Sequence, residues 1–133
     1  MNGSALATAK PISFIVTRDR TRAKAFYGDI LGFRLTGEDD YAAVFDMHGI
    51  MLRISTLPDH VPAAHTVLGW EVSDIASTVT SLAAKGVKFN RYEGLEQDDL
   101  CIWQPPGSHA RIAWFLDPDG NNLSLTAFHS QRP

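Results

Sequence analysis

Polar and apolar residues alternate most clearly in the segment FLDPDGNNLSLT, at positions 115–126. Its Asp117-Pro118-Asp119-Gly120 run is typical of a tight turn, since proline presets φ, aspartate side chains bond nearby amides and glycine accepts a positive φ. After the turn, Leu123 and Leu125 alternate with polar residues. This pattern predicts a strand with one buried face and one polar face.

The same plan occurs earlier in the chain. The segment FDMHGIMLRIS at 45–55 aligns with LDPDGNNLSLT at 116–126, so that Asp46 matches Asp117 and Gly49 matches Gly120. Upstream of each segment, a helical spacing of apolar residues follows an aspartate, Asp19 or Asp74, and ends at a glycine. Asp74 is a predicted N-cap. The pattern therefore predicts two copies of one supersecondary unit.

The predicted order in each copy is βαβββ, with module one at about 10–57, a link at 58–64 and module two at about 65–128. Both modules are expected in a single domain of 133 residues. A Pro-Pro-Gly loop marks the longer irregular part of module two. The predicted strands are 12–17, 33–37, 41–46, 50–55, 67–73, 88–92, 100–104, 112–116 and 122–126.

Strand parity sorts the candidate functional side chains onto one face of each sheet. Arg53 lies opposite Leu52 and Ile54, and Glu71 lies opposite Trp70. Phe14 and Ser124 share the face that the helices are expected to leave open. These faces could form a concave cup lined with polar and apolar groups, which suits a small-molecule site. The alternative is an ordinary solvent-facing sheet surface.

Composition narrows the class of protein. A hydrophobic content of 44%, a charged content of 20% and a net charge of −3 are typical of a soluble globular protein. Basic residues are scattered and no apolar run is long enough for a membrane span, so neither a nucleic-acid partner nor a membrane is expected. No signal peptide is recognised, and Cys101 is the single cysteine, which fits a reducing cytoplasm.

Three segments together resemble the vicinal oxygen chelate superfamily, which includes glyoxalase I, the bleomycin-resistance proteins and the extradiol dioxygenases. They are TRDRTRAKAFYGDILGF, GWEVSDIASTVTSLAAKGVKF and AWFLDPDGNNLSL, and the resemblance extends from about residue 11 to 128. It implies an α+β fold in which two βαβββ modules curl into a cup-shaped mixed sheet with helices on the outer face. It also implies a homodimer.

The resemblance further places the metal-ligand positions of the family on the first and last strand of each module. Here those positions hold Ile12, Arg53, Val67 and Ser124. Aliphatic side chains have no donor atom, a guanidinium repels a cation and a serine hydroxyl is a poor ligand. A shift of one residue brings in no better ligand, and the five histidines have no ligand-pair spacing. Neither a metal nor another cofactor is therefore expected.

Six side chains are candidates for contacting a ligand: Arg53, Glu71, Ser124, Phe14, Trp103 and Trp114. Arg53 could clamp an anion or pair internally with Glu71. The aromatic rings could stack on a ligand or pack in the core. The loop at 93–110 is either an acidic surface loop or a lid, and its negative charge would favour a cationic ligand, which conflicts with an anion clamp at Arg53.

The function that these observations favour is metal-independent binding of a small organic molecule, as the resemblance to the bleomycin-resistance branch implies. One alternative is a lyase, isomerase or dioxygenase of the same superfamily, with either a non-standard metal set or Arg53 and Glu71 as metal-free acid–base groups. The other is an accessory domain whose cup has collapsed.

Overall fold

The computed structural model describes residues 5–129 of the chain. These residues fall into two compact units, one extending to His60 and the other starting at Val61. The boundary lies inside the link that the sequence predicts at 58–64. Each unit has a mixed sheet and a helix, as the α+β prediction requires.

The first unit contains four strands in the order β1-β4-β3-β2. Strands β1 and β4 are parallel, and the other pairs are antiparallel. Helix α1 lies between β1 and β2 and continues as one π-helical stretch, Ala25–Ile30. The element bounds are β1 Ile12–Thr17, α1 Arg20–Lys24, β2 Arg34–Glu38, β3 Ala42–Met47 and β4 Ile50–Thr56.

The second unit contains three strands in the order β5-β7-β6, with β5 and β7 parallel and β6 antiparallel to β7. Helix α2 packs on β6 and β7. Leu123 and Leu125 are buried on the helix side, as the alternation predicts, and Phe115 is buried with them. The element bounds are β5 Thr66–Glu71, α2 Ile75–Ala84, β6 Ala110–Leu116 and β7 Asn122–Phe128.

The N-cap predicted at Asp74 is confirmed, and Asp19 caps the first helix in the same way. The Asp19 side chain accepts a hydrogen bond from the Arg22 N–H, and the Asp74 side chain accepts one from the Ser77 N–H. The first helix differs from the prediction because its second half is π-helical, where Leu31 N–H donates to the Phe26 carbonyl. In this wider turn the adjacent Phe26 and Tyr27 are both buried.

The strands predicted at 88–92 and 100–104 are wrong. Each contributes only isolated bridges, from Phe89 to Phe115 and from Trp103 to Ile112 and Gln97. The Gln97 side-chain amide donates to the carbonyls of Asn90 and Cys101 and accepts from the Tyr92 N–H. A side chain thus satisfies backbone groups that a regular ladder would otherwise pair.

The turn between β6 and β7 is confirmed as a hydrogen-bonded turn. Asp117 Oδ1 accepts from the backbone N–H groups of Asp119 and Asn121, each at 2.9 Å. Asp117 Oδ2 accepts from the Asn121 side-chain amide at 2.8 Å. Gly120 has a φ of +89° in this turn. The motif therefore has a structural role.

Substituting Gly120 by valine is expected to lower the free energy of unfolding by about 1–3 kcal/mol. A side chain strains the positive φ, and its Cβ would lie 3.1 Å from Pro62 Cγ. Urea denaturation measures the loss. Gly37→Val is the control, because Gly37 lies in β2 with no atom within 4 Å of a Cβ placed there. Equal losses in the two variants would contradict the role of the turn.

Within residues 5–129, no helix is long and apolar enough to cross a membrane.

Candidate functional site

One face of the second sheet points away from α2, and the strand register fixes which residues share it. Gly69, Ser124 and Trp114 form one row across the three strands. The next row contains Glu71, Thr126 and Ile112. Thus Glu71, Ser124 and Trp114, three of the predicted contacts, lie on one face, which we call the ligand face.

Small side chains occupy the middle of the ligand face, and we refer to Gly69, Ser124 and Thr126 as the small-residue strip. A Cβ placed on Gly69 would collide with Ser124 Oγ, so glycine keeps this part of the face open. Ser124 is only 9% exposed. No hydrogen bond of its hydroxyl is found within the described part of the chain. The hydroxyl at the floor of the strip is therefore available to a ligand.

An aromatic wall, formed by Tyr92, Trp103 and Trp114, borders the strip. The rings of Trp103 and Trp114 lie 6.0 Å apart at 34°, and Tyr92 meets Trp114 edge-on at 5.4 Å. Trp103 is held beside Ile112 by two backbone hydrogen bonds of 2.8 Å. The sequence prediction for Trp103 and Trp114 stays open, but the structure places the two rings together.

The contribution of Tyr92 to this wall was not predicted from the sequence. Its hydroxyl lies 3.1 Å from Asn90 Nδ2 and 3.4 Å from Asn122 Nδ2, and both amides donate to it. Asn122 also donates to the Ala64 carbonyl and accepts from the Thr66 hydroxyl. Asn122 is therefore a buried positioning residue, whereas the alternation alone placed it on a wet face. The signal for this role in the sequence was the position of an aromatic residue directly before the irregular loop.

The predicted lid segment has an internal hydrogen-bond network. Arg91 donates to the carbonyls of Gln97 and Asp98, and Asp98 forms an ion pair with Arg111 at 3.6 Å. Asp98 Oδ1 also accepts from the backbone N–H groups of Leu100 and Ile102. An open pocket of about 490 Å³ lies in this segment. Movement of the segment as a lid stays a prediction.

The other two predicted contacts lie in the first unit. Phe14 and Arg53 are direct cross-strand neighbours in β1 and β4, and the Phe14 side chain is 63% exposed. Arg53 forms an ion pair with Asp39 at 3.3 Å. The pair with Glu71 that the sequence offered would join the two units and stays a prediction. Asp39 lies in the turn between β2 and β3, and strand parity gave no indication of it.

Hydrogen bonding controls the ionisation of Asp39. Its carboxylate accepts from the backbone N–H groups of Tyr41 and Ala42, each at 2.8 Å, and these bonds hold its pKa below the usual range. The Arg53 guanidinium lowers the pKa further. Because the folded-state pKa is depressed, this stabilisation is present above the ordinary carboxyl pKa of about 4 and is lost as the pH falls.

In Arg53→Ala we expect the pKa of Asp39 to rise while staying below its ordinary value, because the two backbone bonds remain. The free energy of unfolding should also decrease less than in the wild type as the pH falls. Carboxyl NMR titration measures the pKa. Arg34→Ala is the matched control, since Arg34 lies 4.0 Å from Asp46 in a different ion pair. An unchanged Asp39 pKa in Arg53→Ala would contradict this coupling.

The positions where the family resemblance implies metal ligands do not fit a metal. Arg53 pairs with Asp39, Ser124 lies beside Gly69, and Ile12 and Val67 are aliphatic. Across residues 5–129, no three His, Cys, Asp or Glu side chains come together in a group that could hold a metal ion. No reaction step can therefore be assigned to a metal at these positions.

Comparisons with known proteins agree with the fold. A family model described as the Glyoxalase/Bleomycin resistance protein/Dioxygenase superfamily matches residues 8–125. No curated protein sequence matches the chain significantly.

Several solved structures share this fold at low sequence identity. The fosfomycin resistance protein FosX from Listeria monocytogenes is 13% identical, with a TM-score of 0.71 over 92% of this chain and 94% of its own. A glyoxalase family protein from Enterococcus faecalis is 19% identical, with a TM-score of 0.70 over 91% and 98%. A bleomycin-binding protein solved with bleomycin is 21% identical, with a TM-score of 0.65 over 92% and 100%.

Proposed function

This chain belongs to the glyoxalase/bleomycin resistance protein/dioxygenase superfamily, and from that premise we propose that it binds a small organic molecule without a metal. The observation that carries the proposal is the ligand face of the second unit, where an aromatic wall borders a strip of small side chains. Apolar walls with a few placed polar groups are typical of small-molecule sites.

The aromatic wall supplies most of the expected binding energy. A planar ligand lying against Trp114 or Trp103 would remove apolar surface from water and gain ring–ring contact. Tyr92 would keep the wall in place, because two asparagine amides hold its hydroxyl. The Ser124 hydroxyl would add one directional hydrogen bond at the floor. We propose no chemical step for these groups.

Metal independence is supported by residue chemistry. The four family ligand positions hold two aliphatic groups, one guanidinium and one hydroxyl. The guanidinium at Arg53 already has a carboxylate partner in Asp39. Arg53 and Phe14 remain proposed ligand contacts of the first unit, since Phe14 is exposed and adjacent to Arg53.

We also propose that the protein is a cytoplasmic homodimer. Ile12 and Met51 are paired on one face of the first sheet and are at least 42% exposed, which leaves an apolar surface for a second copy. Cys101 is a free thiol, which suits a reducing compartment. A light-scattering mass twice that of the chain would support the dimer, and the mass of one chain would contradict it.

Three size-matched bicyclic probes test the proposed function: N-methylquinolinium, quinoline and 1-naphthoate, which are cationic, neutral and anionic near neutral pH. We expect at least one to bind the EDTA-treated protein in a calorimetric titration. Gly69→Ala should weaken that binding, because the added methyl group enters the strip beside Ser124 Oγ. Failure of all three probes, or binding that requires added metal, would contradict the proposal.

A further inference from the structure

We propose that the ligand face of the second unit selects an organic cation, with the aromatic wall facing the cationic ring system and Glu71 as the opposite charge. This inference rests on the proposed function, because it names the ligand class of the same face.

Charge is distributed unevenly on this face. Among the residues of β5, β7 and β6 that share the face, Glu71 is the only ionisable one, and it is exposed. Two neighbouring cations have other partners. Arg91 donates to loop carbonyls at 3.2 and 2.9 Å, and Arg111 lies on the opposite face beside Asp98. The strands of this face therefore present a negative charge to a ligand.

The aromatic wall favours a cationic ligand, as Glu71 does. The π face of an indole or phenol ring is electronegative and attracts a cation, with tryptophan the strongest of the three aromatic residues. Two tryptophans and one tyrosine meet here with centroid separations of 5.4 and 6.0 Å. Neutral planar ligands gain stacking at this wall, and cationic ones gain an electrostatic attraction in addition.

The strip allows one ligand to reach both features. Glu71 and Trp114 lie on the two outer strands of the sheet, β5 and β6. Their positions differ by two residues along the strands, which corresponds to about 12 Å between Cα atoms. Only small side chains lie between them, at Gly69, Ser124 and Thr126. A fused bicyclic cation against Trp114, together with the length of the glutamate side chain, spans much of this gap.

The Ser124 hydroxyl is a second, independent indication of a ligand in the strip. It belongs to a residue that is 9% exposed, and it has no hydrogen-bond partner among residues 5–129. It points to the space beside Gly69, where a Cβ would collide with it. A hydroxyl in that place can turn its oxygen lone pairs towards a cationic ring or donate its O–H to a ligand acceptor.

The three size-matched probes used in the same calorimetric titration separate this inference from the proposed function. We expect N-methylquinolinium to bind about tenfold more tightly than quinoline, and 1-naphthoate to bind most weakly. Equal affinities for the cation and the neutral probe, or tighter binding of the anion, would overturn the inference while leaving the proposed function in place. Failure of all three probes would overturn both.

Glu71→Gln tests the assigned counter-charge, because it keeps the side-chain length and removes the charge. We expect it to weaken N-methylquinolinium binding several-fold and to leave quinoline binding unchanged. Asp59→Asn is the control, since it removes one negative charge from an exposed position in the link, outside the ligand face and the 93–110 loop. An equal loss in both variants would show a diffuse field of the protein and would contradict the role of Glu71.

Discussion

Replacing Trp114 by leucine is expected to weaken binding of N-methylquinolinium by roughly 30-fold, which corresponds to about 2 kcal/mol. Trp114 is the central ring of the aromatic wall, because it contacts both Trp103 and Tyr92. It is also the cross-strand neighbour of Ser124, so its ring borders the open strip. Isothermal titration calorimetry of the purified variant measures the loss.

Trp70→Phe is the matched control for this prediction. The Trp70 ring stacks on Phe115 at 6.4 Å and belongs to the helix side of the same sheet. We expect its substitution to lower stability while changing probe affinity by no more than about twofold. Similar losses of affinity in the two variants would indicate that either substitution loosens the whole sheet. That result would contradict the proposed role of the ligand face in binding.

Replacing Asp117 by alanine is expected to lower the free energy of unfolding by about 3 kcal/mol. Its buried carboxylate accepts three hydrogen bonds, from two backbone N–H groups and the Asn121 amide. Truncation leaves those donors without their acceptor inside the turn. Urea denaturation followed by circular dichroism gives the difference in stability.

Asp46→Ala removes the equivalent aspartate of the first unit and should cost less than about 1 kcal/mol. The Asp46 carboxylate accepts from Gly49 N–H at 3.2 Å and is only half-buried. The two aspartates align in the internal repeat, so the two variants compare equivalent turns. In one turn the carboxylate is buried, and in the other it is half-buried. A loss for Asp117→Ala no larger than that for Asp46→Ala would contradict the importance of burial.

The sequence predicted the features that depend on local chemistry. The repeat that aligns Asp46 with Asp117 appears in the structure as two aspartates that accept backbone N–H groups and two glycines with a φ of +89°. The cap at Asp74 was predicted for the same reason. In each case the partner lies within a few residues, and the spacing alone identifies it.

Contacts between distant segments were harder to predict. The pair of Arg53 with Asp39 depends on how the β2–β3 turn folds towards β4, which alternation along one strand does not describe. Tyr92 joins the aromatic wall through Asn90 and Asn122, and Asn122 is 30 residues from Tyr92 in the sequence. The strands predicted at 88–92 and 100–104 failed because the Gln97 side chain replaces their backbone pairing.

The candidate site was partly predicted as well. Parity alone placed Glu71 and Ser124 on one face, and the register places Trp114 beside them. Parity could not rank exposure: Ser124 is only 9% exposed, although its neighbour Gly69 has no side chain. How residues of the first unit, such as Phe14 and Arg53, contribute to ligand binding stays a proposal.

Metal-independent binding is the central claim, and metal content combined with metal-dependent stability tests it most directly. The measurement is elemental analysis of the purified, untagged protein, followed by thermal unfolding with added zinc, nickel, manganese or iron(II). The account predicts no stoichiometric metal and an unchanged melting temperature, because Ile12, Arg53, Val67 and Ser124 offer no ligand set. One bound metal per chain, or stabilisation by several degrees at low metal concentration, would contradict it.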